Sequence, residues 1–195
     1  MLSPLHPQRR TLLIIFCSLA FLAGVGFLVF LPQGSVPGSD PKNATYLIDG
    51  EEVTLKDGVA RGEAVPGSAA MVTTRYFGNE LETDLDGDGR VDVVFLLTQE
   101  RGGSGTFFYA VAARATESGY VGSDGYFLGD RIAPQTTEVS RNPRHTYVIV
   151  VNYADRAPGE PMTARPSLGK SAYLKLDTVT MQWGIVEPDF EGESR

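Results

Sequence analysis

From residue 44 onward no stretch carries the apolar spacing of a capped helix. Short runs of β-branched and aromatic residues are instead cut off, one after another, by Gly, Asp, Asn and Pro. A chain punctuated in this way folds as sheet, because period-two runs bounded by turn residues bury one face at a time. The clearest case is 44–48, then Asp49-Gly50, then 51–55, which predicts a hairpin with a two-residue turn. Further strands are expected at 71–77, 91–98, 106–115, 120–128, 146–152, 172–177 and 180–186. Only 60–70 and 130–139 leave room for a short helix. The runs at 93–97 and 147–151 are apolar throughout, which predicts central positions in the sheet. The expectation is a single, mainly β domain, an antiparallel or mixed sheet folded into a sandwich or partial barrel, with no βαβ units.

The strongest chemical signal is Asp84-Leu85-Asp86-Gly87-Asp88-Gly89-Arg90-Val91-Asp92. Carboxylates at alternate positions converge when the backbone curls, and Gly permits the tight turn, so the pattern suits a hard cation such as Ca²⁺. An EF-hand closes its loop with a bidentate Glu at the twelfth position, and here that position is Phe95, which cannot ligate. The loop runs into a strand rather than a helix. The alternative is a solvated acidic turn, since Asp and Gly are ordinary turn residues. Against it stands the mutual repulsion of four carboxylates within nine residues, which a divalent ion would remove.

Residues 11–31 carry no formal charge and have the length a helix needs to cross a hydrocarbon core. Arg9 and Arg10 precede the run and the next charge is Asp40, so the positive flank predicts a cytoplasmic tail at 1–10, a transmembrane anchor at 11–31 and export of the chain from residue 32 onward. A cleavable signal peptide, the alternative, has a shorter apolar core and a small-x-small cleavage site. Residues 32–43, rich in Gly, Pro and Ser, read as a flexible linker. An extracytoplasmic β-rich domain is expected over 44–190, a size that single domains favour. Ala20 and Gly24 have the small-xxx-small spacing of associating helices, a weak pattern in itself.

All the acidic residues lie C-terminal to the anchor, leaving fifteen basic groups against 24 acidic ones and a net charge of −9 on the exported part. That charge argues against a nucleic-acid partner and against adhesion to anionic lipid. Cys17 is the sole cysteine and lies inside the apolar run, so the exported part has no internal disulfide and depends on packing, with or without a metal.

Catalytic patterns are sparse. Gly102-Gly103-Ser104-Gly105 lacks the Lys-Ser/Thr and helix of a phosphate loop and reads as a hairpin turn. Ser104 has no nucleophile-elbow context, and His145 is the one exported histidine, too few soft ligands for zinc without several carboxylates. Glu80, Glu82 and Asp155 are the acid and base candidates for a hydrolase working through paired carboxylates, whose separation a sequence does not supply. The segments 129–135 and 152–162 each hold an Asp-Arg pair, read either as a structural ion pair or as a recognition loop.

The acidic run and its following strand resemble the calcium loop of FG-GAP repeats. That resemblance implies Asp84, Asp86, Asp88 and Asp92 side chains and the Arg90 carbonyl as ligands. The loop occurs once, which argues against a propeller of such repeats. The anchor, Tyr76-Phe77-Gly78-Asn79-Glu80, the acidic loop, Leu96-Leu97-Thr98-Gln99 and the segments 102–106, 129–135 and 152–162 together resemble an uncharacterised family of bacterial membrane-anchored envelope proteins. This implies a single-pass protein of the bacterial inner membrane, its C-terminal domain in the periplasm or outside. The function expected is non-enzymatic binding or envelope maintenance, stabilised by calcium, with an envelope protein or glycan as partner. An envelope hydrolase is the alternative, and a structure with two carboxylates facing across a cleft would favour it.

Overall fold

The computed structural model describes residues 38–65 and 67–187, so the expected cytoplasmic tail and anchor, and the first half of the expected linker, lie outside the described residues. Among the described residues twelve strands come after a single 3₁₀ turn, and every pairing between strands is antiparallel apart from an isolated parallel bridge of Leu47 to Asp124. Strands β1 (Thr45–Ile48) and β2 (Glu51–Thr54) form the expected hairpin, with Asp49 and Gly50 both at positive φ, as a two-residue turn of this hand demands. A six-stranded sheet contains β3 (Val59–Glu63), β4 (Met71–Thr83), β5 (Asp92–Glu100), β6 (Phe107–Thr116) and β7 (Gly119–Gly122) in that order, with β8 (Tyr126–Asp130) also on β6. A four-stranded sheet is ordered β12 (Gln182–Ile185), β11 (Leu168–Asp177), β10 (Val148–Asp155), β9 (Ala133–Val139).

Two cores explain the apolar runs. On β5, Val94 and Leu96 point to one face while Val93, Phe95 and Leu97 point to the other, and all five are buried. The first face packs with Phe108, Ala110 and Ala112 of β6 against Ile149, Val151 and Tyr153 of β10 and Leu174 and Leu176 of β11, so the two larger sheets form a sandwich. The second face packs with Tyr109 and Val111 beneath Tyr46 and Ile48 of the hairpin. A strand covered on both sides has no polar face to show, hence its continuous apolar sequence. Phe95 sits at the centre of this second core, edge-on to Tyr46 at 5.5 Å and 5.3 Å from Tyr76. Of the two expected forms, sandwich and partial barrel, the larger sheets make the sandwich, a hairpin covers its other side, and β5 and β10 are each interior strands.

Four segments differ from expectation. Residues 60–70 and 130–139, both allowed as a short helix, carry β3 and β9 instead, because their apolar residues lack a helical stripe. The run 120–128 breaks into β7 and β8 at Ser123, whose buried hydroxyl accepts from Ala112 N (2.8 Å) and donates to Asp124 O (2.7 Å). Residues 38–43, expected within the linker, are held on the domain: Gly38 exchanges backbone hydrogen bonds with Tyr120, Asp40 caps the turn at Pro41–Asn43, and the Tyr46 hydroxyl donates to Pro41 O at 2.6 Å.

Candidate metal centre

The acidic loop joins β4 to β5, and it is folded around its own carboxylates. Asp84 accepts from Asp86 N (3.2 Å) and Gly87 N (2.7 Å) through Oδ1 and from Gly89 N (3.0 Å) through Oδ2. Asp86 Oδ1 then accepts from Asp88 N at 3.1 Å, and Asp88 Oδ1 from Arg90 N at 2.8 Å. These are successive Asx turns, and they wind the chain so that Asp84, Asp86 and Asp88 face inward together. Gly87 and Gly89, at φ of 81° and 84°, make the sharp turns that a side chain would strain. Leu85 points the opposite way and is buried in the sandwich core, which fixes the loop to the fold.

Ligand atoms of Asp84, Asp86 and Asp88 lie within 4.8 Å of one another. Calcium takes oxygens at about 2.3–2.6 Å, so oxygens on opposite sides of one ion stand about 5 Å apart. The spacing and the hard-oxygen donor set could hold a metal ion. Two guanidiniums also reach the cluster: Arg90 Nη2 lies 2.7 Å from Asp88 Oδ2, and Arg114 Nη1 lies 3.4 Å from Asp86 Oδ2. Burial pushes the Asp84 carboxyl up, but backbone N–H donors from Gly89, Gly87, Asp86 and Asp88 outweigh it and hold the group below the usual carboxylate range.

Asp92 stands apart from the three. It is buried, its Oδ2 accepting from Leu85 N at 2.8 Å and its Oδ1 from Ala115 N at 2.7 Å. Asp92 thus clasps the loop to β6 instead of joining the cluster. Burial pushes its pKa up despite those two donors, and the charges of Asp86 and Asp88 push the same way. A sequence signal for this existed: Asp92 is two residues before Val94, so strand alternation places it on the core face. Arg90 enters the site through its guanidinium and its N–H, both directed at Asp88.

The other candidates fall elsewhere. Glu80 lies 3.7 Å from Lys42, and Asp155 is paired with Lys170 at 2.6 Å. Arg156 donates to the carbonyls of Ala164 (2.8 Å), Arg131 (3.1 Å) and Asp130 (3.3 Å), joining the two Asp-Arg segments as structural connections. His145 Nδ1 is 2.7 Å from Ser140 Oγ, so its hydroxyl partner lies within its own β9–β10 loop and is not Ser104.

Sequence reasoning missed a groove of about 1150 Å³ between β2 and β3, lined by neither Glu80, Glu82 nor Asp155. A polar chain runs along one side of it. Gln99 Nε2 donates to Thr74 Oγ1 (3.2 Å), Arg101 Nε donates to Gln99 Oε1 (2.6 Å), and Arg101 Nη2 pairs with Asp49 and donates to the Tyr109 hydroxyl (2.8 Å). The Tyr109 hydroxyl donates to Asp49 Oδ2 at 2.8 Å, and burial followed by that carboxylate pushes its pKa up. The groove forms where two edges far apart in pairing face each other, which no local motif announces. Comparisons of the chain with protein-family models, with curated proteins and with solved structures each found no match.

Proposed function

We propose that the chain is a membrane-tethered, extracytoplasmic binding or envelope-maintenance domain of a bacterial inner-membrane protein, stabilised by one calcium ion at Asp84, Asp86 and Asp88. The observation that carries the calcium reading is the convergence of three hard-oxygen side chains on a loop pinned by Leu85 and Asp92. The ion would lock the β4–β5 connection, with water and main-chain carbonyls completing the six to eight oxygens that calcium takes. Tethering is supported by the uncharged run at 11–31 behind Arg9 and Arg10, and the acidic balance of the rest suits an aqueous domain that does not adhere to anionic lipid.

Calorimetry of the full-length chain in detergent, first chelated and then titrated with calcium, tests this. An ion that binds only the native state adds about 2.7 kcal/mol at a hundredfold excess over its dissociation constant. Mg²⁺ should add less, because its small octahedral shell fits a flexible loop poorly. Asp86→Ala and Asp88→Ala should each abolish the gain. A melting temperature indifferent to millimolar calcium would leave Arg90 and Arg114 as the cluster's whole compensation and end the calcium reading.

A further inference from the structure

The groove between β2 and β3 is walled by two sheet edges. In the register of the first hairpin, Ile48 and Glu51 close the two-residue turn, so bonded pairs fall at Ile48–Glu51 and Tyr46–Val53. Leu47, opposite Glu52, confirms the phase: its N–H donates to Ser123 O and its carbonyl accepts from Gly125 N, away from β2. The main-chain groups of Glu52 and Thr54 therefore point into the groove. On the other wall, Ala64 N donates to Ala70 O and Tyr76 N to Gly58 O, so Ala60 and Gly62 bond to β4 while Arg61 and Glu63 face the groove. Among the described residues the two edges are bridged at Lys56, just after β2, and Val59, which exchange backbone hydrogen bonds, and they diverge from there. The floor consists of Val53, Ala60 and Val72 with Thr74 and Gln99.

We propose that this slot takes an extended peptide segment of a partner protein, inserted as a strand hydrogen-bonded to β2 on one side and β3 on the other. The proposal deepens the binding reading above and rests on it, though not on calcium. Its volume exceeds that of most small-molecule sites, about 300–1000 Å³, and unpaired strand edges supply the main-chain donors and acceptors that strand addition uses. Charge selects the occupant. Glu51, Glu52 and Glu63 gather at the open end while Lys56 and Arg61 lie toward the closed end, and among the described residues none of these five forms an ion pair. The fitting segment carries a basic residue at one end, an acidic one at the other, and small or β-branched residues between them for the floor.

The test uses the full-length chain in detergent and a fluorescein-labelled peptide, Lys-Val-Thr-Val-Thr-Val-Glu, read by anisotropy, beside a version with Glu at both ends. The dipolar peptide should bind at least tenfold more tightly. N-methylation of alternate residues, in either phase, should each cost tenfold or more, because a strand held on both sides uses every N–H. Arg61→Pro deletes one groove-facing N–H that β3 does not use to pair with β4, whereas Arg61→Ala keeps it. Pro should therefore bind at least tenfold more weakly than Ala, with both melting alike. Equal binding by the two variants, or loss in only one methylation phase, would overturn insertion between the strands. Silence of the peptide at millimolar concentration would overturn it as well, and so would binding of chitotetraose in its place, which would assign the groove to glycan. Calcium-dependent melting is read separately, so failure of the peptide leaves the metal proposal standing and failure of the metal leaves this one.

Discussion

At the residue scale the most consequential side chain is Asp92, which serves two backbone N–H groups, of Leu85 and Ala115, from a buried position. Asp92→Ala orphans both. Each buried donor left unsatisfied costs about 1–3 kcal/mol, so chemical denaturation should show a loss of at least about 2 kcal/mol, with Asp92→Asn, which keeps one acceptor oxygen, losing less. A variant as stable as the original would mean that water reaches those groups. Asp155 and Lys170 give a pH signature. The Lys170 ammonium, against a smaller opposing effect of burial, holds the Asp155 carboxyl below its usual range, so the stabilisation is present above the unfolded value near 3.9 and is lost as pH falls through the lower folded value. Lys170 is partly exposed, which limits the pair to about 1 kcal/mol or less. Lys170→Met should be less stable at pH 7 by that amount, and the difference should shrink in melts taken to pH values progressively below the ordinary carboxylate range. A difference that persisted there would assign the effect to packing.

At the scale of elements, the covering hairpin depends on a close approach. A Cβ on Gly122 of β7 would run into Thr45 O of β1 and lie 2.7 Å from Tyr46 Cδ1. A backbone oxygen cannot swing aside, so Gly122→Ala should lift the hairpin and cost about 1–3 kcal/mol, the usual penalty of overpacking. Hydrogen exchange would show it as faster exchange in β1 and β2 with β10 and β11 unchanged; uniform protection would show that the hairpin yields without cost. Much of this architecture was legible. Asp49-Gly50 announced the turn, and the apolar runs of β5 and β10 announced interior strands. The hairpin that covers the second face was not, because an apolar strand reads the same whether that face meets a sheet or a hairpin. Gly122-Ser123-Asp124-Gly125 did signal the break between β7 and β8, and the strand reading overran it. At the candidate metal centre, spacing anticipated the clustering of Asp84, Asp86 and Asp88, while Asp92 matched the motif but took its role from the strand it begins. The groove left only an indirect trace, the charges Glu52, Arg61 and Glu63 that edge strands carry.

At the scale of the whole molecule, the proposed topology predicts that protease added to spheroplasts digests the domain while leaving the tail at 1–10 inside. A protected domain, or its release as a soluble mature form, would refute the anchor. The hairpin also gives the sandwich a further property. Residues 93–97 form an uncharged, β-prone segment of the kind that stacks into cross-β aggregates when left bare. In the folded molecule one side is shielded by β10 and β11 and the other chiefly by the small β1–β2 unit and the residues flanking it. Because that unit is encoded ahead of β5, a chain made from its N-terminus has the shield available before the dangerous segment exists. Truncation at the N-terminal edge of the domain would therefore be expected to show itself first as insolubility, with loss of binding only a later consequence.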